Sequence, residues 1–484
     1  MKIRTREDYI KSLQEQGHVV YYNGNLVQDI TTHPAFIPHI NAAAKTYEMA
    51  LAPEFEDLAT AVSHLTGQRI SRFTHIHQSV EDLIKKVQLL RAIAHETGSC
   101  FQRCVGWDAL NATYMTTYDI DEKYGTDYHK RFIEYLKMIQ DTNKMVVGGM
   151  TDTKGDRSKP PSQQADPDLF THVVEKRHDG IVIRGSKAHQ TGAANSHEIL
   201  IMPTQAMREL DKDYALCCAL PLNASGVIQI FGRQTNDERK FGGRLDAGNP
   251  DYGLVGGETL IIFDNVFVPW ERVFMCGEYD FSGILVERFA TLHRQNYGGC
   301  KGGVSDVVIG ATALAAEMQG SAGASHVKDK LAEMMHLTET IYAGSISCSA
   351  MGRKTPSGAY YPDPLLANCT KQNVSRHIYE IGRLAHDVAG GILATMPFEA
   401  DLRNEKIGKY IEKYLAGVQG VSTENRLRVL RLIENMTGGT ALVESMHGAG
   451  SPQTQKVMYA RLGKLDMKKK MAKKLAGIKE ESLR

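Results

Sequence analysis

Runs able to form strands are confined to the middle of this chain, and helical periodicity fills the stretches on either side. Up to about Val147, apolar side chains such as Val80, Leu83, Ile84, Val87 and Leu90 recur at helical spacing and lead straight into Cys100. At Met150 the character changes to MTDTKGDRSKPPSQQADPD, whose Pro, Asp, Ser and Lys read as a boundary or a ligand-facing loop. Short apolar runs bounded by turn residues then predict strands over 180–184, 198–202, 214–220, 227–231 and 259–263. Their spacing suggests a compact β-barrel or sandwich. After Pro269 long helical patterns return, over 304–318, 326–349, 368–389 and 425–436.

A chain of 484 residues is long enough for two or three domains with substantial cores. Its 57 Lys and Arg nearly balance 56 Asp and Glu, so no overall field favours nucleic acid or an anionic membrane. The one basic run, KKKMAKK at 468–474, reads as a solvated face of the last helix. No apolar run approaches the roughly 18 residues that span a bilayer, and MKIRTREDYIKSL lacks the apolar core of a signal peptide. A cytoplasmic protein is expected, with eight cysteines as reduced thiols or metal ligands. Cys217, Cys218, Cys276, Cys348 and Cys369 sit among apolar neighbours and read as small buried hydrophobes.

Two short segments carry the chemistry: SCFQRC, with Cys100 and Cys104, and HRQNYGGCKGG, with His293, Tyr297, Cys300 and Lys301. If both are helical, Cys100 and Cys104 share one face, and His293, Tyr297 and Cys300 form a second stripe at i, i+4, i+7. Three thiols and one imidazole suit one metal centre, and a phenol and an ammonium beside them suggest a centre that takes part in a reaction. The spacing is not that of ferredoxins, so arithmetic alone leaves two of the three thiols open to a merely buried role. His75, His77 and His95 have no partner spacing that demands metal; surface or capping roles are expected. No GxGxxG follows a strand, which argues against a Rossmann-type dinucleotide site.

The run DGIVIRGSKAHQTGA at 179–193 resembles an acyl-CoA dehydrogenase pattern in which Gly185, Lys187 and Thr191 would present backbone and hydroxyl to flavin. FDNVFVPWERV at 263–273 is similar to that superfamily's strand leaving the β-domain, and DVAGG at 387–391 to a segment that approaches a neighbouring subunit's flavin. The MTDTKGDR loop and GIVIRGSK strand resemble the 4-hydroxyphenylacetate 3-hydroxylase family, whose monooxygenases need no iron–sulfur cluster. CFQRC, ERFATLHRQNYGGCKGG and VESMHGAGSPQ narrow the resemblance to its 4-hydroxybutyryl-CoA dehydratase branch, which also isomerises vinylacetyl-CoA. The resemblance implies an α+β, acyl-CoA dehydrogenase-like fold: an N-terminal helical domain over 1–147, a central β-domain over 148–275 and a C-terminal helical domain over 276–484. FAD would lie in the cleft between them, and the assembly would be a homotetramer, a dimer of dimers.

It also implies roles. Cys100, Cys104, His293 and Cys300 would hold a 4Fe-4S cluster, the imidazole leaving its iron freer to meet oxygen. An acyl-CoA thioester would be the substrate, made reactive by a transient one-electron oxidation to FAD, with Lewis-acidic iron aiding loss of the γ-hydroxyl. His293 is a candidate base as well as ligand, and Tyr297 could donate to the leaving hydroxyl. Glu258 and Glu444 match the family's functional carboxylates, and a glutamate entering an apolar strand at 258 must be paired or protonated if buried. Lys301 would tune the cluster's charge or hold a substrate oxygen. Asp156, Arg157, Lys187, His189, Gln190 and Thr191 are the candidate FAD contacts. A cluster-free flavin monooxygenase of an aromatic substrate is the alternative, and a redox-sensing or electron-transfer protein a third.

Overall fold

Helices do flank strands in this chain. The structure is a computed structural model that describes residues 3–234, 239–253 and 256–478. Its first helices are α1 (Arg6–Gln16), α2 (Ile37–Met49), α3 (Val80–Thr97), α4 (Cys104–Tyr124) and α5 (Tyr128–Thr142). Ser79 caps α3 by accepting from the Asp82 amide, and Gly98 ends it in the left-handed conformation at φ 58°. Glu81 and Asp82 in its first turn complement the helix dipole.

The strands of the two larger sheets are β1 (Val20–Tyr22), β2 (Asn25–Leu26), β3 (Val146–Gly149), β4 (His172–Lys176), β5 (Gly180–Thr191), β6 (Glu198–Ile201), β7 (Leu216–Pro221), β8 (Val227–Phe231), β9 (Glu258–Pro269) and β10 (Val273–Cys276). They form two open sheets, ordered β2-β1-β8-β9-β5-β4 and β10-β7-β6-β3, and no closed barrel. The long antiparallel pair β5 and β9 is irregular at two places, between Thr259 and Ile261 and between Phe263 and Val266, which bends it away from a simple ladder. An N-terminal hairpin too short for a periodicity signal joins the first sheet, β1 running parallel to β8.

The last section holds α6 (Tyr279–Met318), α7 (Ser325–Ala350), α8 (Pro364–Ala389), α9 (Thr423–Met436), α10 (Gly439–His447), α11 (Pro452–Leu462) and α12 (Leu465–Leu475). α6 is 40 residues long, and the glycine-rich stretch around Lys301 lies inside it. Its glycines let other helices touch its backbone. A Cβ on Gly298 would stand 2.2 Å from the Ile341 carbonyl of α7, and one on Gly299 2.5 Å from the Val87 carbonyl of α3. Tertiary packing therefore overrides the low helix propensity of these residues.

Cys217, Cys218, Cys276 and Cys348 are buried as expected, and Cys369 is half-buried. The basic run lies exposed on α12. His75 and His77 depart from expectation: both are buried, His75 against Asp82 at 3.1 Å and His77 beside Trp107. His95 is exposed and meets Asp306 at 2.7 Å. Among the described residues, no helix is long and apolar enough to cross a membrane.

Candidate active site

A cavity of about 1090 Å³ opens between the sheets and the C-terminal helices, and Cys100, Cys104, His293 and Cys300 all line it. The two thiols of SCFQRC do not share a helix face. Cys100 lies in the connection between α3 and α4, and Cys104 is the first residue of α4. Gln102 breaks the helical register with φ 69°, and its amide nitrogen donates to the His39 and Cys100 carbonyls at 3.1 and 3.3 Å. Asn195 donates to the other end of the same side chain at 2.7 Å, so the connection is pinned. The second stripe is as expected: His293, Tyr297 and Cys300 lie along α6, with the imidazole and phenol rings 5.6 Å apart and edge to face.

Asp108, one turn after Cys104, orients the imidazole. Its carboxylate accepts from His293 Nδ1 at 2.8 Å and from Asn296 at 2.5 Å, and it pairs with Lys86 at 2.5 Å. Lys86 also donates to the Leu292 carbonyl and the Gln295 amide oxygen at 3.1 and 3.2 Å, so its ammonium is satisfied although it is buried. With Nδ1 engaged, Nε2 is the ring nitrogen left for a ligand. A carboxylate behind the ring is the usual support of a metal-ligating histidine.

The donors fit an iron–sulfur cluster. Burial pushes all three thiols up, Cys300 to about 11, while Lys301 acts in the opposite sense on Cys100 and Cys300. Cys104 at a helix N-terminus gains further support for a thiolate. Gly256 lies against β5 beside Cys100: a Cβ there would stand 2.2 Å from the Thr191 methyl. Among the described residues no three of His, Cys, Asp and Glu stand close enough to enclose a single metal ion. Ligands of a cluster bind separate irons and stand further apart than those of one ion.

The carboxylates face the same cavity. Glu258 opens β9 opposite Thr191, whose hydroxyl donates to Glu258 Oε2 at 2.7 Å, while Oε1 is buried without a hydrogen-bond partner. Burial, aided by the charge of Glu444, pushes Glu258 up to about 8. Its carboxyl therefore holds a proton at neutral pH. Glu444 on α10 forms an ion pair with Lys301, whose ammonium is held above its ordinary range by that carboxylate against the opposing effect of burial. Burial first, then Glu444, keeps the Tyr297 phenol neutral, and Gly448 lies so close that a Cβ there would stand 1.8 Å from its oxygen.

Arg157, His189, Gln190 and Thr191 line the cavity, together with Lys154 and Asp152. Two of the expected flavin contacts lie outside that lining. Lys187 is buried beneath β5, paired with Asp152 at 2.8 Å and donating to the Met150 and Met202 carbonyls. Asp156 is exposed and folds back on Ser158 and Lys159. His189 adopts φ 57°, which turns β5 where it borders the cavity.

Sequence reasoning missed Asp108, Lys86, Asn296 and Lys371. Lys371 falls on the apolar stripe of α8 with Ala367, Val374, Ile378 and Ile381, and burial lowers it to about 7. A charged residue at a core position of a helix was the available signal.

Models of the 4-hydroxyphenylacetate 3-hydroxylase N-terminal and C-terminal regions match residues 5–275 and 282–477. The chain is 54% identical to the 4-hydroxybutyryl-CoA dehydratase/vinylacetyl-CoA-Delta-isomerase of Clostridium aminobutyricum, over 99% of this chain and 100% of that one. A structure of an oxygen-tolerant archaeal 4-hydroxybutyryl-CoA dehydratase from N. maritimus superposes with a TM-score of 0.97 at 50% identity, over 100% and 97% of the chains. The FAD-complexed oxygenase component HpaB of 4-hydroxyphenylacetate 3-monooxygenase matches with a TM-score of 0.84 at 24% identity, over 99% of both. Glutaryl-coenzyme A dehydrogenase matches more distantly, with a TM-score of 0.52 at 11% identity over 99% and 96%, and so shares the acyl-CoA dehydrogenase-like fold. With identity of this order across its whole length, the chain belongs to the 4-hydroxyphenylacetate 3-hydroxylase family, on the branch of the dehydratase/isomerase enzymes.

Proposed function

We propose that this enzyme dehydrates 4-hydroxybutyryl-CoA to crotonyl-CoA, and isomerises vinylacetyl-CoA, with FAD and a 4Fe-4S cluster bound in the one cavity. The observation that carries the reading is that a proton-bearing carboxyl, a neutral phenol, a paired Lys301 and Glu444, and three thiols with an imidazole all line that cavity. When bound, FAD would accept and return one electron, and the cluster would offer a Lewis-acidic iron. Arg157, His189, Gln190 and Thr191 would hold the flavin; Lys187 and Asp156 would act on it only through the backbone they brace. Cys100, Cys104, Cys300 and His293 would hold the cluster.

The remaining residues move protons. Tyr297, neutral and on the cluster side of α6, is placed to protonate the departing γ-hydroxyl. His293 would offer Nε2 either to the cluster or to a substrate proton. Glu258, protonated and free at Oε1, can donate to a thioester oxygen or relay a proton through Thr191. Lys301 pairs with Glu444 and holds its carboxylate in place as an acceptor. The sum is redox-neutral: the substrate loses one water and no net electrons. A homotetrameric assembly belongs to the same reading.

Anaerobic purification with iron, sulfide and flavin analysis, followed by a crotonyl-CoA assay, tests it. Iron and sulfide in near-equal amounts with FAD and crotonyl-CoA formation are expected. A yellow, iron-free protein that hydroxylates a phenol would replace this reading with that of a monooxygenase.

A further inference from the structure

Lys371 is a buried lysine that none of the roles above uses. Its ammonium has three N–H groups and meets three acceptors: the Ser445 and Met446 carbonyls, each at 2.9 Å, and the Ser375 hydroxyl at 3.2 Å. The two carbonyls belong to the last turn of α10, the helix that carries Glu444. A cation there satisfies groups the helix leaves unpaired and offsets the partial negative charge of its C-terminus.

The same ammonium lies 4.4 Å from the centre of the Tyr297 ring. Gly448, the residue just after α10, rests on the Tyr297 hydroxyl, and Arg294 on α6 donates to the next carbonyl, that of Ala449, at 3.0 Å. Lys371 thus touches both the ring of the proposed proton donor and the end of the helix that presents its neighbouring carboxylate. We propose that Lys371 is a positioning residue for Tyr297 and Glu444: it clamps the end of α10 against the phenol, and in its protonated form it stabilises negative charge on the phenol oxygen as the proton leaves. The inference deepens the dehydratase reading and rests on it. A cation over a ring face attracts it by roughly 0.5–2 kcal/mol, and the attraction grows as the ring gains negative charge.

The test uses holoenzyme purified anaerobically. Lys371→Met should keep iron, sulfide and FAD, leave KM within about threefold, and lower kcat for crotonyl-CoA formation by about 30- to 100-fold, as expected for loss of support at a proton donor. Combined with Tyr297→Phe it should cost less than about threefold more, because a residue acting through Tyr297 has nothing left to act on. A kcat within threefold of the parent, or losses that multiply in the double variant, would overturn the proposal. Should Lys371→Met not accumulate, Ser375→Ala removes one acceptor only; a kcat lowered by about 3- to 10-fold at constant KM is expected, and an unchanged kcat counts against it. Full activity in Tyr297→Phe alone would instead sink the role given to the tyrosine, and the proposal with it. Inactive Tyr297→Phe beside active Lys371→Met would sink the proposal alone.

Discussion

Glu258 shows how one residue's surroundings decide its chemistry. In water a glutamate is ionised at neutral pH, but here one carboxyl oxygen has a single hydroxyl donor, the other has none, and Glu444 stands near. The folded group therefore holds its proton up to about 8, against 4.5 for a glutamate in water. A raised folded value means that the native state binds the extra proton, so this group's stabilisation is complete below about 4.5 and is lost as pH rises towards 8. In Glu258→Gln the melting temperature should fall less steeply between pH 5 and 8 than in the parent, measured on cofactor-loaded protein. Crotonyl-CoA formation should fall by about 10²- to 10⁴-fold with iron and flavin retained. Equal slopes for both proteins would return Glu258 to an ionised strand-end carboxylate.

At the scale of elements, α6 carries the argument. Glycine inside an exposed helix costs roughly 1 kcal/mol relative to alanine, so replacement would ordinarily stabilise. At Gly299 the sign reverses, because an added methyl would stand 2.5 Å from the Val87 carbonyl of α3. We expect Gly299→Ala to destabilise by about 1–3 kcal/mol through overpacking. α3 runs directly into the Cys100 connection, so spreading it from α6 should also lower bound iron. Differential scanning calorimetry with iron analysis reads both effects, and a melting temperature at or above the parent's would show that the helices can part freely. The open sheets follow the same logic: β5 and β9 pair at length only because irregular registers absorb their bend, and the stretch that ends at Thr191 is thereby brought beside Glu258.

For the whole molecule, the proposed cluster would join the 98–103 connection to α6, tying the N-terminal helices to the C-terminal ones. Anaerobic removal of iron by a chelator should lower the melting temperature by at least about 3 °C, since a group bound only by the native state stabilises it. Limited proteolysis should then cut the chain near 98–103 faster than before; identical rates and melting temperatures would mean that these donors join nothing. The order of helical, strand-rich and helical sections was legible in the chain because periodicity is local, as was the stripe of His293, Tyr297 and Cys300 on one helix face. The motifs likewise sufficed to indicate the family. Beyond reach were the loop at Cys100, which was expected to be helical, the choice between a barrel and open sheets, and the burial of Lys187 away from the cavity. Each depends on contacts between residues distant in sequence, such as Gln102 with Asn195 or Lys187 with Asp152. Asp108 behind His293 and Lys371 beneath Tyr297 belong to the same class. By itself the sequence determined which residue types recur at which spacing, because those follow from the geometry of one helix or strand. Only the tertiary structure decided which carboxyl keeps its proton, which imidazole nitrogen faces the cavity and which lysine lies under the phenol, because burial and charge at those atoms come from neighbours that folding brings together.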